Sequence, residues 1–296
     1  MSEQRVPFKA DGLTLAGVVR VPDGMGAGAR RPAFIVLHGF GSNMNAGNVL
    51  KPCALLEELG YVTLRFDMPG CGDSEGEKGR LICLEQVSAV SQALTLLAQH
   101  PQVEPTRIAV MGSSFGAAVA VYAGGVDQRI AAVVSASGWG HGERKFRGQH
   151  PTPQAWAKFT AMLEEGRRHR ARTGRSLMVP RYDIVPIPES MRSHVVAGSI
   201  QMFPAETAQS MYDFRAEEVV GRIAPRPLLL LHSASDSVTP VEQSIELFRH
   251  AGQPTELHLF ADTDHFMFAE STTRVRRIVQ DWLAHYFAVD AQAAAA

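Results

Sequence analysis

The sequence lacks most features that mark a secreted, disulfide-bonded or membrane-spanning protein. It contains only three cysteines, Cys53, Cys71 and Cys83, and no Cys-x-x-Cys pair, which argues against a disulfide framework and a zinc site. The N-terminal residues 1–11 contain no apolar run that could form the core of a signal peptide. No apolar stretch approaches the roughly 18 residues that cross a bilayer. We therefore expect a soluble protein of the cytoplasm.

The sequence also lacks an excess of charge of either sign. Its 29 Lys and Arg residues face 30 Asp and Glu residues, which gives a formal net charge of −1. No global field would attract nucleic acid or an anionic membrane, so we expect neither as a partner. With 45% hydrophobic and 20% charged residues, the composition is that of a globular chain. The oligomeric state is left open, with a homodimer as one option.

Short apolar strands alternate with helical stretches along most of the chain. Alternating apolar and polar residues from Arg5 to Val21, around Asp11-Gly12, predict an antiparallel hairpin. Continuous apolar runs, typical of strands covered on both faces, occupy residues 32–38, 61–66, 107–111, 130–135, 227–231 and 255–260. Helical patterns occupy residues 48–59, 84–100, 114–124, 241–250 and 268–287. The alternation predicts an α/β fold with a mostly parallel, doubly wound sheet.

One segment interrupts this alternation. Residues 140–222 are rich in Arg, Pro and Met and contain no apolar strand, so we interpret them as an inserted, largely helical cap. The length of 296 residues allows one domain or two. Because the candidate site residues come from both sides of the insertion, we expect residues 1–139 and 223–290 to form a single core. The alanine-rich tail, residues 291–296, is expected to be disordered.

A serine lies at the centre of a Gly-x-Ser-x-Gly motif between a predicted strand and a predicted helix. The motif consists of Gly112, Ser113, Ser114, Phe115 and Gly116. In this context the serine occupies a sharp, strained turn, and the glycines allow the strand and helix to pack closely. The motif predicts Ser114 as a catalytic nucleophile. The alternative is a helix start that is merely capped by a serine.

A nucleophilic serine needs a base to take its proton and an acid to orient that base. His265 follows the last predicted strand, and Asp236 follows the strand that ends near Leu231. This is the chain order serine, acid, histidine. The alternative for Asp236 is helix capping near Pro240. We expect Asp262 and Asp264 to shape the loop of His265, and His232 to be a core or supporting residue.

A site of this kind also needs two further features, which are backbone donors for the oxyanion and apolar walls for the substrate. The turn His38-Gly39-Phe40-Gly41 ends the first apolar strand, and we predict an oxyanion hole from the backbone N–H groups of Phe40 and Phe115. The alternative for this turn is an ordinary strand-to-helix connection. The candidates for substrate binding are Trp139, Phe266 and Met267, with Phe203 and Met202 as further candidates. Simple core packing is the alternative for each of them.

These motifs together resemble the α/β-hydrolase superfamily at both ends of the chain, roughly residues 5–139 and 224–287. The loop from Gly70 to Ser74 and the His-Gly-Phe turn are most similar to bacterial carboxylesterases of the cinnamoyl or feruloyl esterase type and to Xaa-Pro dipeptidyl-peptidase-like hydrolases. The resemblance implies hydrolysis of a carboxylic ester through an acyl-enzyme, with no cofactor and no metal. The insertion departs from the pattern, so the substrates of the family do not transfer.

The same residues also fit functions other than ester hydrolysis. The same three residues serve amidases, peptidases, thioesterases and carbon–carbon bond hydrolases. A non-catalytic ligand-binding protein on the same scaffold is a further alternative, although it would lose part of the triad. A run of arginines in the insertion offers a possible anion site, but its neighbours Glu164 and Glu165 favour a solvated helix face. The run comprises Arg167, Arg168, Arg170, Arg172 and Arg175.

Overall fold

The fold begins with a hairpin. The computed structural model describes residues 2–26, 28–269 and 273–289, so the predicted disorder of residues 291–296 lies outside the described residues. Strands β1 (Ser2–Ala10) and β2 (Leu13–Val21) pair antiparallel. Asp11 and Gly12 join them with φ angles of 47° and 84°, the pair of positive values that a type I′ turn requires. The predicted hairpin is confirmed.

Eight strands form the central sheet, in the order β1-β2-β4-β3-β5-β6-β9-β10. All neighbours from β4 onward pair parallel, whereas β1, β2 and β4 pair antiparallel. The strands after the hairpin are β3 (Arg31–Leu37), β4 (Val62–Phe66), β5 (Val103–Ser113), β6 (Ile130–Ala136), β7 (Met178–Pro180), β8 (Met202–Pro204), β9 (Leu228–Ser233) and β10 (Thr255–Phe260).

Helices cover both faces of this sheet. They are α1 (Gly47–Glu58), α2 (Cys83–Ala98), α3 (Phe115–Val126), α4 (Gly142–Gln149), α5 (Pro153–Thr173), α6 (Arg181–Ile184), α7 (Ala205–Asp213), α8 (Glu242–His250) and α9 (Thr273–Tyr286). In β3, Phe34 and Val36 pack into the core beneath α1 and α9, while Ile35 and Leu37 pack into the core on the α2 and α3 side. Burial on both faces explains the continuous apolar runs. The predicted fold class is confirmed.

Residues 140–222 contain helices α4 to α7 and two short 3₁₀ helices, Glu189–His194 and Ala216–Glu218, and a third 3₁₀ helix, Val220–Ile223, ends one residue beyond them. They also contain β7 and β8, which pair antiparallel with Val179 opposite Phe203. The expectation of a segment without a strand is therefore wrong at this point. Each strand has three residues, too few to give a periodic signal in sequence, and the two pair across a long connection.

A lysine is buried where the insertion meets the core. The Lys145 side chain extends from α4, and the residue is 2% exposed. Its Nζ lies 3.9 Å from the ring centre of Phe146 and 5.3 Å from that of Trp139. Within the described residues this nitrogen has no hydrogen-bond partner. Burial lowers the pKa of Lys145 to about 7, so the folded protein carries a desolvated amine that the unfolded chain would hydrate.

Replacing this lysine should stabilise the protein at neutral pH. An unfolded lysine has a pKa of about 10.4, so between pH 7 and 10 the unfolded chain binds more protons, and the stability of the wild type rises with pH. We expect Lys145→Met, which keeps the volume and removes the amine, to raise the Tm at pH 7 by a few degrees. The advantage should shrink by pH 9.5. Thermal unfolding followed by circular dichroism at both pH values measures this, and an equal loss of Tm at both would contradict it.

Candidate active site

Ser114 occupies a strained turn between β5 and α3. Its φ is 56° and its ψ is −117°, a region that residues with a Cβ rarely adopt. Its N–H donates to the carbonyl of Ala136 at 2.8 Å. A Cβ on Gly112 would lie 2.2 Å from the carbonyl oxygen of Gly116, and one on Gly116 would lie 2.5 Å from that of His38. The helix can approach β5 and the end of β3 this closely only because both positions are glycine.

His265 bridges Ser114 and Asp236. Its Nε2 lies 2.9 Å from the Ser114 Oγ, and its Nδ1 lies 2.9 Å and 3.0 Å from the two carboxylate oxygens of Asp236. The side chain of His265 is 3% exposed and that of Asp236 is fully buried. In this geometry Nε2 can accept the hydroxyl proton while Nδ1–H donates to the carboxylate. The structure thus brings the three predicted residues into one hydrogen-bonded chain.

The carboxylate of Asp236 is held by several donors. Its Oδ1 accepts the N–H groups of Val238 and Thr239 at 2.8 Å and 2.7 Å, so it caps its own turn and also contacts His265. Burial alone would raise the pKa of Asp236, but the adjacent His265 and His232 outweigh burial and hold this pKa well below its usual range. Asp236 therefore remains ionised and can stabilise a charged imidazole.

His232 supports this acid from behind. It is fully buried, and its Nε2 lies 3.0 Å from the carbonyl oxygen of Thr239 and 3.3 Å from Oδ2 of Asp236. Because both neighbours are acceptors, Nε2 carries the proton, and Nδ1 accepts from the Ser244 hydroxyl at 2.6 Å. His232 thus lies in the core and contacts the predicted acid, as the sequence predicts. The sequence gives no sign of the partner, since the contact depends on how the loop after β9 folds back.

Asp264 ties together the two loops that carry the acid and the histidine. Its Oδ1 accepts the N–H of Ser237 at 2.8 Å and that of His265 at 2.7 Å. Asp262 lies on the surface, 3.5 Å from a guanidinium nitrogen of Arg274. The prediction that these two aspartates shape the loop is confirmed for Asp264, whose hydrogen bonds fix the loop relative to Asp236.

The turn after β3 passes directly beside Ser114. A Cβ on Gly39 would lie 3.7 Å from the Cβ of Ser114. The buried His38 holds the turn, because its Nε2 accepts the N–H of Met68 at 3.1 Å and its Nδ1 donates to the Gly39 carbonyl at 2.9 Å. Burial lowers the pKa of His38, which favours this neutral form. The turn thus brings the backbone of Phe40 close to the nucleophile.

Phe115 lies on the other side of the nucleophile. It is the first residue of α3, where backbone N–H groups have no acceptor within the helix. Its ring centre lies 6.3 Å from that of Phe40. The two predicted backbone donors therefore belong to neighbouring turns at the same end of the sheet.

A pocket opens above Ser114, between the sheet and the insertion. Phe266 lines it, as predicted, with its ring edge-on to His265 and stacked on His194. The other residues that line this pocket are Gly39, Phe40, Ser42, Asn48, Ser114, Arg181, Val185, Ile187, His194, Val195, Ser199, Val238 and His265. Among the described residues that line the pocket there is no Asp or Glu. Arg181 is the cation in its wall.

Two predicted pocket residues lie elsewhere. Trp139 is buried, with its ring 5.4 Å from that of Phe214. Met267 is buried in the core cluster beneath α1 and α9. Core packing, the alternative for both, accounts for their positions. Of the further candidates, Phe203 is buried against the ring of Phe40, and Met202 is exposed.

Four arginines of the run lie exposed on α5, and the fifth, Arg175, is exposed just beyond its end. Arg167 and Arg168 pair with Glu164, and Arg170 approaches Glu206 at 4.0 Å. These pairs are the ones expected of a solvated helix face. In the described part of the chain no cluster of His, Cys, Asp and Glu could hold a metal ion. No helix among the described residues is long and apolar enough to cross a membrane.

Comparison with known proteins gives matches along most of the chain. The family model described as serine aminopeptidase, S33 matches residues 28–272. An uncharacterized 31.7 kDa protein of Escherichia coli, from the traX-finO intergenic region, is 26% identical over 284 residues, which is 92% of this chain and 96% of that protein. The polyketide transferase grgF of a Penicillium species is 26% identical over 275 residues, 86% of each chain.

Solved structures match the whole fold. The crystal structure of the Penicillium α/β hydrolase GrgF has a TM-score of 0.80 at 21% identity, covering 97% of this chain and all of that one. Est1E from Butyrivibrio proteoclasticus, solved with bound ferulic acid, has a TM-score of 0.68 at 18% identity, covering 96% of this chain and 99% of that one. At these identities the likeness extends to the fold.

Proposed function

The chain belongs to the serine aminopeptidase S33 family of α/β hydrolases, and we propose that it is a serine hydrolase that cleaves a carboxylic ester through an acyl-enzyme. The observation that carries this proposal is the chain of hydrogen bonds from Ser114 through His265 to Asp236. A strained serine with a positioned base and a buried carboxylate is the arrangement that activates a hydroxyl for attack on a carbonyl.

In the proposed reaction the Ser114 Oγ attacks the ester carbonyl carbon as its proton passes to Nε2 of His265. The new C–O bond creates a tetrahedral oxyanion, which accepts hydrogen bonds from the backbone N–H groups of Phe40 and Phe115. Collapse of this intermediate breaks the ester bond, and His265 returns the proton to the departing alcohol. A water molecule then repeats the sequence on the acyl-enzyme, which releases the acid and restores Ser114.

The charge of the pocket supports an ester substrate over an N-terminal peptide. An aminopeptidase must hold the α-ammonium group of its substrate, and a carboxylate is the side chain best suited to that task. No Asp or Glu lines the pocket among its described residues, whereas Arg181 does. A cation in the wall of a partly desolvated site opposes a second cation. We therefore propose a neutral or anionic acyl group.

A thioester is the second candidate substrate. The attacking and proton-transfer steps are the same, and only the leaving group differs. The similarity to the thiohydrolase aneE of Aspergillus aculeatus, which is 24% identical over 94% of this chain and 93% of that protein, favours this candidate over the amide and carbon–carbon alternatives. A non-catalytic binding protein is disfavoured because all three triad positions are filled and hydrogen-bonded.

Replacing the nucleophile tests the reaction itself. We expect Ser114→Ala to abolish hydrolysis of 4-nitrophenyl butyrate, since no other hydroxyl contacts Nε2 of His265 among the described residues. A fluorophosphonate should label the wild type at Ser114 alone, as located by peptide mass spectrometry. Ser113→Ala is the matched control, because the Ser113 hydroxyl donates to the backbone of Asn48 at 3.3 Å, and it should retain most activity. Undiminished turnover in Ser114→Ala, or labelling elsewhere, would overturn the assignment.

Replacing the acid tests the orientation of the base. Asp236→Asn keeps an oxygen for the N–H groups of Val238 and Thr239 but presents no anion to His265. We expect kcat to fall by up to about 10⁴-fold, because nothing then fixes the tautomer of the His265 imidazole and no anion stabilises its charged form. Stopped-flow or steady-state ester hydrolysis measures the loss, with circular dichroism as the folding control. A decrease of only a few fold would assign the acid to another residue.

Matched substrates test the proposed charge preference. The panel comprises phenyl esters with a butyryl, a hemisuccinyl and a 4-aminobutyryl acyl group, the corresponding butyryl thioester and anilide, and an α-aminoacyl anilide. We expect kcat/KM for the butyryl and hemisuccinyl esters to exceed that for the cationic ester by at least about tenfold, because Arg181 is uncompensated in the wall. Preference for the α-aminoacyl anilide would instead support an aminopeptidase, and a thioester rate far above the ester rate would favour the second candidate.

A further inference from the structure

A buried arginine from the insertion contacts the turn that follows β3. Arg181 is 4% exposed. Its Nη2 donates to the carbonyl oxygen of Phe40, and its Nη1 donates to those of Gly41 and Ile200 at 3.4 Å and 2.7 Å. The guanidinium thus joins two successive peptide groups of the turn to a third from the insertion. This fork needs a planar group with several donors, which arginine supplies and lysine does not.

The guanidinium has no anionic partner. In the described part of the chain no carboxylate oxygen lies within 4.0 Å of it. Besides the three carbonyl oxygens, the guanidinium faces the rings of Phe40 and Phe203, whose centres lie 5.3 Å and 5.9 Å from its central carbon. Burial lowers the pKa of Arg181 to about 10, which still leaves it charged at neutral pH. An uncompensated buried charge is costly, so the carbonyl oxygens and ring faces must supply the stabilisation that holds it there.

The turn and the insertion interlock around this arginine. The N–H of Ile200 donates to the Gly41 carbonyl at 2.9 Å, and the N–H of Arg181 donates to Gln201 at 2.8 Å. The rings of Phe40 and Phe203 stack with centres 4.3 Å apart. Gly41 has a φ of 52°, and a Cβ there would lie 2.4 Å from the Phe203 ring. The turn therefore keeps its shape through contacts with the insertion as well as with the sheet.

We propose that Arg181 is a positioning residue for oxyanion stabilisation. The Phe40 N–H belongs to the peptide group between Gly39 and Phe40, whose carbonyl accepts from Nδ1 of His38 at 2.9 Å. Arg181 holds the next peptide group through the carbonyl of Phe40. The two side chains together limit rotation of the backbone about the Cα of Phe40 and keep its N–H directed toward the carbonyl that Ser114 attacks. The inference rests on the proposed function and extends it, because it makes the insertion necessary for turnover of any substrate, however small. A small misplacement of one donor costs about 10² in rate.

Small activated substrates separate this role from substrate selection. We expect Arg181→Met to lower kcat for 4-nitrophenyl acetate about 10²-fold while KM changes less than threefold. A phenylboronic acid, which forms a tetrahedral adduct on Ser114, should bind more weakly by a similar factor. Arg181→Lys keeps the charge but loses the fork of donors, so its kcat and its boronate affinity should lie between those of the wild type and those of Arg181→Met.

Arg192→Met is the matched control. Arg192 also belongs to the insertion, donates to one backbone carbonyl, that of Ile187, and packs over the ring of Tyr182 at 4.1 Å, but it does not contact the turn. It should retain kcat and boronate affinity. If Arg181→Met does not fold, as judged by circular dichroism and Tm, Arg181→Lys decides the question by the same two measurements.

The outcomes are distinct. Unchanged kcat and boronate affinity in a folded Arg181 variant would overturn the positioning role, and so would a rise in KM alone, which would assign Arg181 to substrate binding. Equal losses in Arg192→Met would also overturn it, because they would point to a general effect of disturbing the insertion. Failure of the proposed function would look different, since the wild type itself would neither hydrolyse the esters nor react with a fluorophosphonate.

Discussion

The site depends on the close approach of β5 to α3 around a serine in a positive-φ conformation. A Cβ on Gly112 would lie 2.2 Å from the carbonyl oxygen of Gly116, so no larger residue fits there without moving the backbone. This contact lifts the Ser114 hydroxyl out of the end of the sheet and toward His265. It also brings the Phe115 N–H and the turn after β3 to the same point. The strain is offset by the core packing of α3, which is apolar and buried along most of its length.

The fold and the meeting of Ser114, His265 and Asp236 at one point were predictable because their signals are local. Strands buried on both faces give unbroken apolar runs, and the ends of parallel strands meet at one edge, so Ser114, Asp236 and His265 could be assigned from their positions after strands. The walls of the pocket were not predictable in the same way. Phe266 and Met267 are neighbours, yet one lines the pocket and the other is buried in the core. In an irregular loop no periodicity tells which way a side chain points.

The contribution of Arg181 illustrates a second limit of sequence reasoning. Its partners are backbone oxygens of Phe40, Gly41 and Ile200, and backbone acceptors leave no mark on the residue type at those positions. The short strands β7 and β8 that bring Phe203 into place have no periodic pattern either. The insertion, interpreted from sequence only as a cap, is packed in the structure against the turn that carries a proposed oxyanion donor.

The fixed charges around the site are arranged to suit the charges that the proposed reaction would create. As Ser114 attacks, positive charge develops on His265, which contacts the ionised Asp236, and negative charge develops beside the turn whose carbonyl groups hold the Arg181 cation. Each developing charge thus lies on the side of the site that holds the opposite fixed charge. Both fixed charges are buried, where screening by water is weak and the interaction is stronger than at the surface. In the proposed reaction the same arrangement would disfavour a substrate that brings its own cation, so a single distribution of charge would contribute both to rate and to selectivity.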